Sequence, residues 1–561
     1  MDNECRDAFY SEEYFGILVE YEGSGELVKE EYNSNCFYPI SYRFAVIFLT
    51  QGEGEKVPYE TMPFSVIPKC FGLMDMEALE EMGILRVRRS SLDLTGSGVL
   101  IGMVDTGIDY RNPMFRYEDG RSKIRSIWDQ TERSGSPPEG FYYGSEYGRE
   151  QIEEALRSED PLAIVPSMDR NGHGTFLAGV AAGRVDEEEG FSGAAPDAEL
   201  VVVKLKEAKK NLRDFNFLPE SAIAYSEVDI MMGLSYLGEI ARREAKPIVI
   251  CIGLGSNQGS HIGTTYLSDY INWLALRRGI VIVVAAGNEG NASHHYHGII
   301  RNTRETVELK VGPRERGFAM ELWGKAPNRF QIQIESPTGQ MTEWIEAGIR
   351  GSRSYTFLLE RSQLYVDYLV VDPYSGDQGI LFRFASPAEG IWKIAVAEPG
   401  SGEKEYDMWL PISGFVGEGT YFLQANPFTT ITAPGNAGNP LTMSAYRQDN
   451  GALYLESSRG FTRNHLVKPE LAAPGVAVKG PLLRNQFGTM SGTSVSAALT
   501  AGMAAVFLQW AVIERNDFLI NTVGTKNYFI RGANRSGDRS YPNREWGYGK
   551  VDLFGVFLEI R

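Results

Sequence analysis

Three short stretches of the sequence carry residues that could perform acid–base and nucleophilic chemistry. Each stretch sets one reactive residue among small or glycine neighbours: Asp105 in residues 104–109, His173 in residues 171–175 and Ser494 in residues 492–498. A serine hydroxyl is a poor nucleophile at neutral pH, so it needs a histidine base, and the histidine needs a carboxylate to fix its tautomer. Alone, each stretch has an ordinary alternative as a loop Asp, a surface-loop His or a helix-capping Ser. Together, in the order Asp, His, Ser, they predict a catalytic triad.

A fourth stretch could stabilise the oxyanion that attack by a serine creates. Residues 280–287 are almost entirely apolar and end at Asn288, whose side-chain amide could donate to the oxyanion beside the N–H of Ser494. Residues 495–505 are small and predict a buried helix with Ser494 at its N-terminus, where the helix dipole favours negative charge. Without the triad, Asn288 would be an ordinary turn residue.

A histidine cluster outside the triad suggests a metal site at first sight. His294, His295 and His297 lie close together, but no cysteine or carboxylate accompanies them at ligand spacing. We therefore interpret the cluster as a solvated loop.

The elements that must position the triad follow an alternating pattern. From Val99 onward, apolar strand-like runs alternate with helical runs, which predicts βαβ units and an α/β fold with a parallel sheet covered on both faces. Asp105 follows the first such strand, and the carboxyl ends of strands are where open α/β sheets place their sites. A helix is also predicted over residues 74–82.

The pattern changes to a period of two between about residues 299 and 430. Several short alternating runs separated by turn signals predict an inserted all-β domain, a sandwich or jelly roll. The predicted organisation is an N-terminal α+β domain (1–73), a first catalytic part (74–298), the insertion (299–430) and a second catalytic part (431–561).

The composition limits the partners of the chain. Its 561 residues carry a net charge of −18, which argues against nucleic acid as a partner. The longest apolar runs noted, residues 279–287 and 99–104, are too short to span a membrane, and the acidic N-terminus shows no secretory signal. Four cysteines make no disulfide framework; Cys251, in an apolar run, is predicted to be a buried thiol, and this usage fits a reducing compartment.

The motifs around these residues resemble those of the subtilisin-like serine proteases, the subtilase family. The similarity runs from Leu92 to the C-terminus outside the insertion and includes residues 457–460, 468–476 and 547–552. It implies that Asp105 orients the base, His173 is the base, Ser494 is the nucleophile and Asn288 supplies the oxyanion hole. It further implies that substrate binds along Gly253, Leu254, Gly255, Ala286 and Gly287. The sequence departs from the usual residues of this family at two places: Ala498-Leu499 stands where the family has Pro-His, and Gly253 stands where it has Ser.

Within that family, the chain is similar to the Csp germination proteases of spore-forming Clostridia. The resemblance implies a prodomain that stays bound after self-cleavage, here near residues 70–74, and a protein substrate that is the pro-form of a cortex-degrading hydrolase. It also implies cytoplasmic synthesis and association with the spore. No cofactor is required, although subtilases often bind calcium and Asp109 is one candidate ligand. Two alternatives stay open: an inactive subtilase fold used for binding or signalling, and a general degradative subtilisin.

Overall fold

A computed structural model describes residues 5–560 except 6, 22–24, 35, 42, 51–58, 60–61, 74–78, 80, 347, 349–351, 401 and 536–538. The described residues of the N-terminal segment include a small antiparallel sheet in the order β1-β3-β2 and the short helix α1. A fourth strand from this segment leaves that sheet and pairs with the catalytic part. The elements are β1 (Tyr14–Glu20), α1 (Glu26–Glu31), β2 (Phe37–Pro39), β3 (Phe44–Thr50) and β4 (Cys70–Leu73).

The chain then enters an α/β unit. Its first part contains α2 (Ile84–Arg88), β5 (Leu100–Asp105), β6 (Ile124–Asp129), β7 (Ser145–Gly148), α3 (Arg149–Arg157), α4 (Pro161–Ile164), α5 (His173–Ala182), β8 (Glu199–Lys204), α6 (Lys210–Phe215), β9 (Tyr225–Ser226), α7 (Glu227–Glu244), β10 (Ile248–Ile252), β11 (Leu254–Gly255), α8 (Tyr266–Leu274) and β12 (Ile280–Ala285). Most of the helix predicted over residues 74–82 lies outside the described residues, and the described helix begins at Ile84.

An all-β unit follows and is built from two antiparallel sheets. Its strands are β13 (His295–Ile300), β14 (Arg304–Val311), β15 (Gly317–Gly324), β16 (Gln331–Glu335), β17 (Arg353–Phe357), β18 (Ser362–Leu369), β19 (Gln378–Ala385), β20 (Gly390–Ala397), β21 (Lys404–Trp409) and β22 (Tyr421–Phe422). Six strands form one sheet, in the order β13-β21-β15-β19-β18-β17, and four form the other, in the order β16-β20-β14-β22. Apolar side chains from both sheets meet in a core of their own, as alternation of period two requires.

The last part of the chain completes the α/β unit. It contains β23 (Leu441–Tyr446), β24 (Leu471–Pro474), β25 (Val478–Pro481), β26 (Phe487–Met490), α9 (Thr493–Leu508), α10 (Thr522–Gly532) and α11 (Leu553–Ile560). The central sheet has the order β24-β23-β12-β10-β5-β8-β6-β7, and all its pairs are parallel except β6 with β7. One large apolar cluster covers each face of this sheet, which explains why its strands are continuous apolar runs.

The N-terminal segment packs on both of the other units. Phe9 stacks on Tyr143 of the α/β unit with ring centroids 4.0 Å apart. A separate apolar cluster joins Phe15 and Ile17 of β1 to Phe215 of α6 and to Leu381 of β19. The three units therefore share buried surface and hold the segment before β4 against the catalytic part.

One expectation about the cysteines needs correction, and another is confirmed. Cys5 and Cys36 form a disulfide, with Cα atoms 5.1 Å apart, so cysteine usage does not argue for a reducing compartment. Their proximity depends on how the N-terminal turn folds back beside β2, which residue spacing cannot show. Cys251 is buried, and burial raises the pKa of its thiol well above the ordinary range.

The buried helix predicted over residues 495–505 is part of a longer apolar stretch. Residues Thr493–Ile513 are long and apolar enough to cross a membrane by length and composition, but 78% of the most apolar window is buried inside the protein. This stretch includes α9, which is the core helix of the α/β unit.

Candidate active site

The carboxylate of Asp105 and the imidazole of His173 meet where β5 ends and α5 begins. The Nδ1 atom of His173 lies 2.8 Å from Oδ1 and 3.0 Å from Oδ2 of Asp105. Asp105 is 1% exposed and His173 is 3% exposed. A buried carboxylate needs hydrogen-bond donors, and Nδ1–H together with the backbone N–H of Thr106 provides them. This arrangement directs Nε2 of His173 away from Asp105 as the basic nitrogen.

The hydroxyl of Ser494 faces the other side of the imidazole. Its Oγ lies 3.3 Å from Nε2 of His173. Ser494 is the second residue of α9, and every residue of that helix is buried. The first turn of a helix has backbone N–H groups without an intrahelical acceptor, and the helix dipole favours negative charge there. The site can therefore hold an oxyanion that forms next to Ser494.

Asn288 lies beside the same helix terminus. Its Oδ1 accepts hydrogen bonds from the backbone N–H and the Oγ1 hydroxyl of Thr493, both at 3.1 Å. With its oxygen engaged in this way, the side chain would offer its amide N–H groups to an oxyanion. The hydroxyl of Thr493 also accepts from the N–H of Gly287 at 3.1 Å, which links the loop after β12 to the nucleophile.

A buried carboxylate that the sequence analysis did not single out holds the helix that carries His173. Asp169 is 1% exposed, and its Oδ1 accepts from the N–H groups of Asn171 and Gly172 at 3.0 and 2.9 Å. Its Oδ2 accepts from the N–H and hydroxyl of Thr175 at 3.0 and 2.7 Å. The signal for this role was an Asp four residues before His173 at the start of a predicted helix.

Two threonine hydroxyls then join this helix to the loop after Asp105. Because an ionised carboxylate can only accept, Thr175 donates its proton to Asp169 and accepts from the N–H of Asp109 at 2.8 Å. The hydroxyl of Thr106 accepts from the N–H of Gly174 at 2.9 Å. The close approach also requires glycine, because a Cβ at Gly174 would lie 2.3 Å from the carbonyl oxygen of Gly107.

The predicted substrate residues line a groove that the N-terminal segment occupies. Strand β11 pairs antiparallel with β4, with Leu254 opposite Leu73 and Gly255 opposite Gly72. On its other edge β4 pairs antiparallel with β9. Strand β4 is therefore the middle strand of a three-stranded sheet, in the position expected of an extended peptide substrate.

The remaining predicted substrate residues lie near Ser494. A Cβ added to Gly253 would lie 3.0 Å from Cβ of Ser494 and 2.8 Å from Cδ1 of Leu177. Ala286 is held by a hydrogen bond from the N–H of Thr432 to its carbonyl oxygen at 2.9 Å, and Gly287 is held by Thr493. Ala498 and Leu499, the other departure noted in the sequence, are buried in α9.

The structure does not support the candidate calcium ligand or the solvated histidine loop. The Oδ1 atom of Asp109 pairs with Nε of Arg111 at 2.8 Å, so a cation already neutralises this carboxylate. Within the described part of the chain, no group of three or more His, Cys, Asp or Glu side chains could hold a metal ion.

The histidine cluster lies at the junction of the all-β unit and is largely buried. His294 pairs with Glu289 at 2.7 Å, while Nε2 of His295 and Nδ1 of His297 lie 3.0 and 2.9 Å from Oδ1 of Asp407. His294 and His295 are buried and His297 is partly buried. Sequence reasoning missed this because the carboxylate partner Asp407 comes from β21, more than 100 residues away.

The fold and the site together define a class of protein, the subtilisin-like serine endopeptidases. The profile of the subtilase family matches residues 96–308 and 404–549, which is more than half of the chain, and the chain belongs to that family. The gap between the two matched ranges falls in the all-β unit.

A solved structure similar to this one is that of the CspB protease of Clostridium perfringens, with 31% sequence identity and a TM-score of 0.77. The match covers 85% of this chain and 96% of that one. Thermitase of Thermoactinomyces vulgaris is 25% identical over 224 residues, which are 40% of this chain and 60% of thermitase. The C5a peptidase of Streptococcus pyogenes serotype M1 is 22% identical over 447 residues, which are 73% of this chain and 34% of that protein. The chain thus spans less than two thirds of either curated relative.

Proposed function

We propose that this chain is an active serine endopeptidase that cuts its own N-terminal segment. The observation that carries the proposal is the continuous set of contacts from Asp105 through His173 to Ser494, at 2.8 and 3.3 Å. The oxygen of Ser494 attacks the peptide carbonyl, and Nε2 of His173 takes the hydroxyl proton. Asp105 stabilises the imidazolium that results. Asn288 and the N-terminus of α9 stabilise the oxyanion until the C–N bond breaks and His173 gives its proton to the leaving amine. Water that His173 activates then hydrolyses the acyl ester and frees Ser494.

The position of β4 supports self-cleavage just after this strand. Antiparallel register brings Gly72 opposite Gly255 and Leu73 opposite Leu254, so the chain runs toward Gly253 and the nucleophile. The next pair in this register would be residue 74 opposite Gly253. We therefore propose that the cut falls immediately after residue 74, a position that lies outside the described residues. The N-terminal segment would then act as a prodomain that remains in the groove.

The natural substrate we propose is the pro-form of a cortex-degrading hydrolase, activated by limited proteolysis during spore germination. This proposal rests on the similarity to the structure of the CspB protease of Clostridium perfringens and on an all-β unit inserted before the serine. A groove already filled by β4 favours limited cleavage over general degradation, because a substrate must displace a paired strand. The proposed place of action is the spore.

Replacement of the nucleophile tests the proposed activity. The wild-type chain should separate into two pieces on a denaturing gel and react with a fluorophosphonate probe, whereas Ser494→Ala should remain one piece and stay unlabelled. Sequencing of the new N-terminus should begin at residue 75. Incubation with a cortex hydrolase pro-form should shorten that protein only when Ser494 is present. A wild-type chain that stays intact and unlabelled would instead favour an inactive binding or signalling role.

A further inference from the structure

A fully buried carboxylate lies at the far end of the groove, away from the nucleophile. Glu227 is the first residue of α7, directly after β9, and its side chain is 0% exposed. Its Oε1 accepts from the N–H of Leu267 at 3.1 Å and its Oε2 accepts from the N–H of Lys69 at 3.2 Å. Buried carboxylates need charge partners as well as hydrogen bonds.

The charge partner of Glu227 comes from the segment that occupies the groove. The Nζ atom of Lys69 lies 3.8 Å from Oε2 of Glu227, and only 9% of the Lys69 side chain is exposed. The N–H of Glu227 also donates to the carbonyl oxygen of Lys69 at 2.9 Å. This bond continues the antiparallel register in which Cys70 faces Ser226 and Phe71 faces Tyr225. Glu227 therefore contacts both the backbone and the side chain at one position of the bound strand.

A cavity of about 290 Å³ adjoins the Lys69 side chain, with Asp372, Tyr266 and Trp323 in its wall. Glu20 of the N-terminal segment also lines it, but this carboxylate already pairs with Arg43 at 2.6 Å. Lys69 is the one basic residue among the described residues that line this cavity. A second buried carboxyl group, Glu321, accepts from the N–H of Gly259 and the indole N–H of Trp323. Burial raises the pKa of Glu321, and the positive charge of Lys69 acts against that shift. A longer cation such as arginine would fit in this space.

We infer that Glu227 and this cavity form a remote subsite that selects a lysine or arginine in the substrate, four residues before the residue that faces Leu254. The inference rests on the proposed function, because it treats Lys69, the residue directly before β4, as the occupant that a substrate replaces. Departure of Lys69 leaves the fully buried Glu227 carboxylate without its cation. A substrate with a basic residue at this position restores the pair, and a substrate with a neutral or acidic residue does not.

Substitution of the occupant tests the subsite without altering the enzyme's own groove. Full-length wild type, Lys69→Arg, Lys69→Met and Lys69→Glu would be synthesised in a cell-free system, and self-cleavage would be followed over time on gels. Gel filtration at increasing salt would then measure how firmly the cleaved N-terminal piece is retained. Lys69→Arg should behave as wild type. Lys69→Met should slow cleavage or speed release by about tenfold, and Lys69→Glu by more, because an unpaired buried charge remains.

Matched variants separate this specific pairing from a general loss of stability. Lys29→Met removes another lysine of the N-terminal segment, one that pairs with the exposed Glu26, and should change neither rate. Lys69→Glu combined with Glu227→Lys should recover part of the loss. Equal rates for wild type, Lys69→Met and Lys69→Glu would overturn the subsite while leaving the proposed self-cleavage in place. A wild-type chain that never cleaves would overturn both.

Discussion

At the scale of single residues, the departure at Gly253 has a steric cause. The family usually has serine at this position, but here a Cβ at position 253 would lie 2.8 Å from Cδ1 of Leu177. It would also lie 3.0 Å from Cβ of Ser494 and 3.3 Å from Cε1 of His173. The glycine therefore leaves clearance between Leu177 and the side chains of Ser494 and His173.

Gly253→Ala should lower the rate of fluorophosphonate labelling at Ser494 by about 10- to 100-fold, because small displacements of reacting groups carry penalties of that size. Leu177→Ala in the same chain should recover part of the rate by opening the crowded space. Gly438→Ala is a suitable control, since its nearest neighbour would be 3.9 Å away. Labelling of Gly253→Ala at the wild-type rate would contradict the steric explanation.

At the scale of secondary-structure elements, the site depends on how two segments are joined. Helix α5 begins at His173 and β5 ends at Asp105, and the hydroxyls of Thr106 and Thr175 connect them. Asp169 fixes the direction in which Thr175 donates. We regard Asp169 as a positioning residue, because it contacts neither Ser494 nor the groove and acts through the start of α5.

Asp169→Asn should slow labelling of Ser494 by about tenfold. Both oxygens of Asp169 accept hydrogen bonds, and in asparagine one of them is replaced by an NH₂ group that would face donors and leave them without an acceptor. Thr175→Val should cause a similar loss, and Thr175→Ser should stay close to wild type because it keeps the hydroxyl. A pH–rate profile of labelling would separate misplacement of His173 from simple loss of folded protein. An unchanged rate and profile for Asp169→Asn would exclude the positioning role.

At the scale of the whole molecule, charged groups secure the all-β unit where it joins the α/β unit. Burial acts to raise the pKa of Asp407, but hydrogen bonds from His295 and His297 outweigh it and hold the pKa well below the ordinary range. The hydrogen bond to Asp407 raises the pKa of His297 above 6.5, assisted by Glu405 and Glu305, although burial opposes the shift. The ring of Trp409 stacks between His261 and His295 at 4.0 and 4.8 Å.

The junction should accordingly be more stable on the acid side of neutrality than on the alkaline side. Because the pKa of His297 is higher in the folded chain, its stabilising effect is complete below pH 6.5 and disappears as the pH rises through the raised pKa. His297→Gln should therefore reduce the free energy of unfolding at about pH 6 by about 1 kcal/mol or less, which lowers the melting temperature there. At about pH 9 the substitution should leave the melting temperature unchanged. A difference that grows with pH would have the wrong sign.

The sequence was sufficient for the features that depend on local chemistry. Continuous apolar runs predicted the strands of the parallel sheet, and Asp105, His173 and Ser494 stood out because reactive residues lay among glycines and small residues. Alternation of period two predicted several strands of the all-β unit. Strands β13, β17, β18, β21 and β22 were not among the alternating runs noted in the sequence.

The tertiary structure decided which distant groups meet. Spacing along the chain cannot show that Asp407 faces two histidines, that Cys36 reaches Cys5, or that Asp169 accepts four hydrogen bonds beneath the base. The same holds for Lys69 against Glu227, which are 158 residues apart. Residue type sets what a side chain is able to do, but burial and the partner across the fold determine its charge, orientation and use.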